Sequence, residues 1–176
     1  MKLLPRVSQM CVVVGMLLSQ LSAEPIFYNV LSGENYEKSE WKRAETKLDF
    51  EKRAKHLEVF ESYTVKSKDG KISQVERSYS TPSGDWGMNL TYDYNKEGDL
   101  VKVTANFNTF SGYDAESDKF HPTRSVRIYI RDKAGKLQQT EEKIYDLKSE
   151  KEVNRSFMYP EMKHWEKVND LPAKGL

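Results

Sequence analysis

The chain has 176 residues, 38% hydrophobic and 31% charged, with 28 lysines and arginines against 27 aspartates and glutamates and a formal net charge of +1. So even a balance gives no long-range pull on polyanions, which argues against nucleic acid as a partner. One cysteine, Cys11, is present, which leaves little room for disulfide or thiolate chemistry.

The first element in chain order is an export signal. Lys2 and Arg6 precede an apolar run from Met10 to Leu18, and the segment ends on the small-residue sequence Leu21-Ser22-Ala23. This order of charge, apolar core and small residues predicts a secretory signal peptide over residues 1–23, cleaved between Ala23 and Glu24. The apolar run is about half the ~20 residues a bilayer span requires, so no retained span is expected. Cys11 follows Ser8-Gln9-Met10 and precedes most of the apolar run, which is not the order of a lipid-attachment site. Cleavage leaves 153 residues with 26 basic and 27 acidic side chains, a net charge of −1 and no cysteine. A cysteine-free exported domain fits a bacterial periplasmic or secreted protein better than a disulfide-dense eukaryotic one. In that setting the sequons at Asn89 and Asn154 are chance matches.

Residues 24–176 have the size of a single domain. Tyr36 to Leu57 is rich in Glu, Lys, Arg and Ala, a composition that favours helix. Trp41, Ala44 and Leu48 share one side of a helical wheel, but Phe50, Ala54 and Leu57 fall opposite, and Ala44 to Phe50 also alternates as a strand does. The expectation is a short helix near residues 34–46, followed by extended chain.

Three turns then share one design: Lys68-Asp69-Gly70-Lys71-Ile72, Lys96-Glu97-Gly98-Asp99-Leu100 and Lys133-Ala134-Gly135-Lys136-Leu137. Glycine at the turn and a branched apolar residue two positions later predict three hairpins. The first is expected from Leu57–Val65 and Ile72–Tyr79. In the others, Trp86, Met88, Leu90, Tyr92 and Tyr94 form one alternating set, Val101, Val103, Ala105 and Phe107 a second, and Val126, Ile128 and Ile130 a third. Each set is expected to face the core, with its polar neighbours in solvent. Thr81 to Asp85 is a turn by composition, Ser111 to Thr123 is expected as the longest loop, and Met158 to Leu176 as an irregular tail lying along the sheet.

The segment Tyr92-Asp93-Tyr94-Asn95-Lys96-Glu97-Gly98-Asp99-Leu100 resembles the hairpin core of YD-type cell-surface repeats, and Tyr129 to Leu137 retains part of it. The turn glycines here are 28 and 37 residues apart, unlike the short regular period of those repeats, so the resemblance is one of turn geometry.

Chemistry-bearing motifs are sparse. Asp114, Glu116, Asp118 and His121 cluster in sequence, but Lys119 and Ser125 stand where a calcium-binding loop needs glycine and glutamate. His56, His121 and His164 lack zinc spacing. Ser39-Glu40-Trp41-Lys42 spells Ser-x-x-Lys without its companion motifs. No cofactor and no metal are expected. The aromatic load of the second hairpin is the remaining clue, and Trp86, Tyr92, Tyr94, Phe107 and Tyr113 are its candidate ligand-binding residues, with core packing as the competing role. Arg124, Arg127 and Arg131 cannot all share one face of a regular strand.

The expected fold is therefore mainly β (α+β), a curved antiparallel meander of about six strands covered by a short N-terminal helix. The expected function is an exported, non-enzymatic module that binds an envelope component or a protein partner through its sheet. Two alternatives stand beside it. One is a small exported hydrolase using His121 with loop carboxylates such as Asp118, and the other an assembly protein that pairs through an edge strand.

Overall fold

The computed structural model describes residues 24–32, 38–81 and 83–171. The expected signal peptide, with Cys11 and Ala23, lies outside the described residues, as do residues 34–37 of the expected helix and the last five residues of the tail.

Eight strands and one helix follow in order: β1 (Ile26–Ser32), β2 (Lys38–Ala44), α1 (Lys47–Ala54), β3 (Glu58–Lys68), β4 (Lys71–Ser80), β5 (Trp86–Tyr94), β6 (Leu100–Asp114), β7 (Lys119–Arg131) and β8 (Leu137–Asp146). They form a single sheet in the order β2-β1-β3-β4-β5-β6-β7-β8, and every neighbouring pair is antiparallel. The mainly β, antiparallel reading holds, with eight strands instead of about six. From β3 onward the sheet is a plain meander.

The turns follow the sequence closely. Asp69 and Gly70 have φ of 54° and 74°, the pair of positive values that a type I′ hairpin turn requires. The other two glycine turns share one mechanism. Asn95 Oδ1 accepts from the amides of Glu97 and Asp99, and Asp132 Oδ1 accepts from those of Ala134 and Lys136. A side-chain oxygen thus organises each turn from its first residue, which accounts for the shared motif.

Five expectations are corrected. The helix does not lie at 34–46: Lys38–Ala44 is an edge strand paired residue by residue with β1, and the helix begins at Lys47. Pairing with β1 overrides helix propensity there, and Trp41 packs against Tyr63 at a ring-centroid distance of 5.6 Å. The helix starts where it does because Thr46 caps it, its side chain accepting from the Asp49 amide at 3.2 Å, an exchange worth about 1 kcal/mol.

The expected loop over Ser111–Thr123 is mostly strand. β6 and β7 continue to Asp114 and from Lys119, and Asp114 Oδ1 accepts from the amides of Glu116 and Ser117 to close a four-residue turn. The acidic residues that suggest a loop are the turn itself.

β7 faces the opposite way. Its register sets Ser125 opposite Phe107, Arg127 opposite Ala105 and Tyr129 opposite Val103, so the polar set lies on the covered face. Thr123 and Ser125 are fully buried, while Ile130 is 46% exposed. In β6 a register shift opposite Asp93 and Tyr94 makes Leu100, not Val101, the buried residue, since an extra residue reverses which side chains face inward.

The cover is different as well. The main core cluster joins Tyr63, Val75, Met88, Leu90, Tyr92 and Phe107. What closes it is the segment after β8, which contributes Phe157, Tyr159, Met162, Trp165, Val168 and Leu171. The helix covers only a small cluster on the other face, where Phe50 meets Tyr28 edge-on at 5.0 Å. The tail carries isolated bridges at Glu152, Ser156 and Lys167 and one short 3₁₀ turn over Val168–Asp170.

Candidate ligand cleft beneath the C-terminal segment

The tail is anchored at several points. Its amides and carbonyls pair with the ends of strands: Tyr113 and Ser156 exchange two hydrogen bonds, Leu100 N donates to the Glu166 carbonyl, and Val168 N donates to the Gly98 carbonyl. Tyr92 and Tyr94 reach up from β5 to donate to the carbonyls of Lys163 and Trp165, at 2.7 Å and 3.3 Å. Arg131 Nη2 pairs with Glu166 at 2.5 Å, and Arg155 with Asp146 at 2.8 Å.

Between these anchors the tail and the β6–β8 part of the sheet leave a cleft of about 400 Å³. Val103, Tyr129 and Leu137 line it from the strands, and Tyr159, Pro160 and Met162 from the tail. Arg127, Lys163 and His164 supply its charged groups and an imidazole, and Tyr129 and Tyr159 bring hydroxyls. The Arg127 guanidinium lies 3.7 Å from the Tyr159 ring centroid and pairs with Glu142 at 2.6 Å. His164 Nε2 is 3.2 Å from Glu166 Oε1. Lys163 and His164 are exposed. Burial pushes the Tyr159 hydroxyl well above the usual tyrosine range, so it is a neutral wall group at any physiological pH. Most of the cleft wall is apolar, and the cleft is open to solvent on one side.

Under Trp165 of the tail, on β4, lies a largely buried cation. Arg77 pairs with Glu61 at 2.5 Å and stacks on Tyr79, with its guanidinium carbon 4.1 Å from the ring centroid. Trp165 of the tail closes the cage at 5.6 Å. Tyr63 donates to the same Glu61 carboxylate at 2.7 Å, and burial, reinforced by that bond, raises its hydroxyl far above the normal value.

The sequence candidates separate. Tyr92 is 0% and Phe107 1% exposed. Tyr94 is also buried and Trp86 half-buried, all in or against the main core beneath the tail. Tyr113 is elsewhere, at the far end of β6, packed against Phe120 with the rings tilted and bonded to Asp118. His121 Nε2 lies 3.3 Å from Ser117 Oγ on the exposed tip of the same hairpin, while the Asp118 carboxylate is occupied by Tyr113. Among the described residues, no three His, Cys, Asp or Glu side chains are grouped to hold a metal, and no helix is long and apolar enough to cross a membrane.

Apart from Val103 and Leu137, the cleft residues are ones that periodicity places elsewhere or does not single out. Arg127 and Tyr129 occupy the polar set of β7. The tail does carry a signal: Met162, Trp165, Val168 and Leu171 recur every third residue, a period shorter than an α-helix's and longer than a strand's, which puts one side of the segment against a surface. No match to the chain is found among protein-family models, characterised proteins or solved structures.

Proposed function

We propose that this protein is an exported, non-enzymatic binding module, acting in the periplasm or outside the cell, that holds an envelope component or the exposed group of a protein partner against its sheet. The observation that carries the reading is the cleft of about 400 Å³ between β6–β8 and the tail, within the range of small-molecule sites. The signal-like residues 1–23 and the absence of cysteine from residues 24–176 support export. Two features weigh against the alternatives. The Ser117–His121 contact sits on an exposed turn, and the Asp118 carboxylate beside it is engaged by the Tyr113 hydroxyl. The edge strands β2 and β8 carry Lys38, Glu40, Lys42, Glu141, Glu142 and Lys143, and charged edges of this kind discourage strand-to-strand assembly.

Native mass spectrometry on protein recovered from its own producing cells tests the reading. The expected result is a chain beginning at Glu24 with a non-covalent adduct of small-molecule size or a stoichiometric protein partner. A chain retaining residues 1–23 would overturn export. A bare chain with a hydrolytic activity that disappears in His121→Ala would overturn the binding role.

A further inference from the structure

We infer that the cleft is selective for an anionic amphiphile, a molecule with one slender apolar body ending in a single carboxylate. This rests on the cleft being the ligand site proposed above, and adds the class of ligand.

The lining divides by chemistry. Val103, Tyr129, Leu137 and Met162 offer an apolar bed, which favours a ligand that is mostly hydrocarbon or aromatic. The charged side chains and imidazole at the cleft are Arg127, Lys163 and His164, with the hydroxyls of Tyr129 and Tyr159 beside them, and no carboxylate or carboxamide lines it. A sugar presents hydroxyls that both donate and accept, and sites for it need acceptors too. This set is dominated by donors, which suits a ligand whose polar end only accepts. A cationic amphiphile would meet the exposed Lys163 side chain, whereas Arg127 is already paired with Glu142 and adds no further bias.

The three groups are not equivalent. Arg127 is held by Glu142 and by the Tyr159 face, so it shapes the wall. His164 faces Glu166. Lys163 is the group set to receive an anion: its backbone carbonyl is fixed by the Tyr92 hydroxyl, while its side chain is exposed beside the apolar bed. A carboxylate there gains a charge-assisted hydrogen bond, stronger than any a neutral head group could form. The volume of about 400 Å³ suits a single chain or a small ring system.

The test compares three probes of one chain length, decanoate, decanol and decyltrimethylammonium, by titration calorimetry on the exported protein, alongside Lys163→Gln and Leu137→Arg. Decanoate is expected to bind at one per chain and decanol about tenfold more weakly, with the cation weaker still. Lys163→Gln should weaken decanoate about tenfold and leave decanol unchanged. Leu137→Arg, which fills the cleft from the start of edge strand β8, should abolish binding of both with the circular dichroism spectrum retained. Equal affinity for decanoate and decanol, or a Lys163→Gln variant indifferent to decanoate, overturns the anion selectivity and leaves the cleft as an apolar site. Failure of all three probes, while protein from its own cells carries an adduct, overturns this ligand class and leaves the binding role standing. Failure of all three with a bare native chain overturns both.

Discussion

The hydroxyl of Tyr92, in the middle of the sheet, donates a 2.7 Å hydrogen bond to the carbonyl of Lys163, 71 residues further along the chain. The bond ties the deepest aromatic of the core to the segment that roofs it. It also fixes the backbone from which the Lys163 ammonium reaches the cleft rim. Packing and the proposed binding chemistry therefore meet in one contact. Tyr92→Phe keeps the ring and its edge contact with Trp165, 5.4 Å between centroids, and removes only the hydroxyl. The expected cost in urea unfolding is about 1 kcal/mol. A change below the error of the measurement would mean that the bond contributes nothing to holding the tail.

The Arg77–Glu61 pair carries a larger penalty when broken. Their side chains are 11% and 13% exposed, so loss of one partner leaves the other charge largely desolvated. Glu61→Gln and Arg77→Met are each expected to cost about 3 kcal/mol, and the double variant far less than their sum. A double-mutant cycle gives the coupling directly. Additive losses would show that the aromatic cage of Tyr63, Tyr79 and Trp165, not the ion pair, accommodates Arg77.

Acid should loosen the start of the tail. The Ser149 amide, followed by Arg155 and the Ser149 hydroxyl, holds the Asp146 carboxyl well below the usual aspartate range. A group with its folded pKa lowered contributes stability above its unfolded pKa, about 4, and loses it as pH falls further toward the folded value. The melting temperature is therefore expected to fall steeply below about pH 4, and less steeply in Asp146→Asn. Parallel curves for the two proteins would contradict the assignment.

Gly112 is required for space. A Cβ built on it would overlap the Thr123 hydroxyl and methine carbon, and Thr123 is fully buried with its hydroxyl bonded to the His121 carbonyl. Gly112→Ala is expected to destabilise by about 2 kcal/mol, in the range of overpacked sites. Thr123→Ser, which removes only a methyl, should recover less of the loss than Thr123→Gly. Normal stability of Gly112→Ala would show that the β6–β7 hairpin end gives way easily.

Where local rules act alone, the sequence is read correctly. The three glycine turns and the alternation of β5 depend on near neighbours, and both match. The misplaced β2 and the reversed β7 share one physical cause, which is that partners distant in sequence decide. Lys38–Ala44 becomes a strand because β1 is available to pair with it, although Thr46-Lys47-Leu48-Asp49 already carries the helix-start pattern. β7 turns its polar face inward because Tyr159, 32 residues beyond Arg127 in the chain, offers an aromatic face for the guanidinium to stack on. The cleft is less legible still, since half of it belongs to a tail without regular structure. Only the threefold spacing of Met162, Trp165, Val168 and Leu171 betrays that tail as a cover.

The account turns on that cover, and amide hydrogen exchange tests it most directly. Leu100 N donates to Glu166 and Val168 N to Gly98, so both amides are predicted to exchange as slowly as the interior of β5 and β6. They should be released together, in one opening event, when Trp165 is replaced by alanine. Val168 exchanging at the rate of free chain, while β5 and β6 stay protected, would contradict the account: the aromatic face of the sheet would then be open, and the cleft beneath residues 157–171 would not exist.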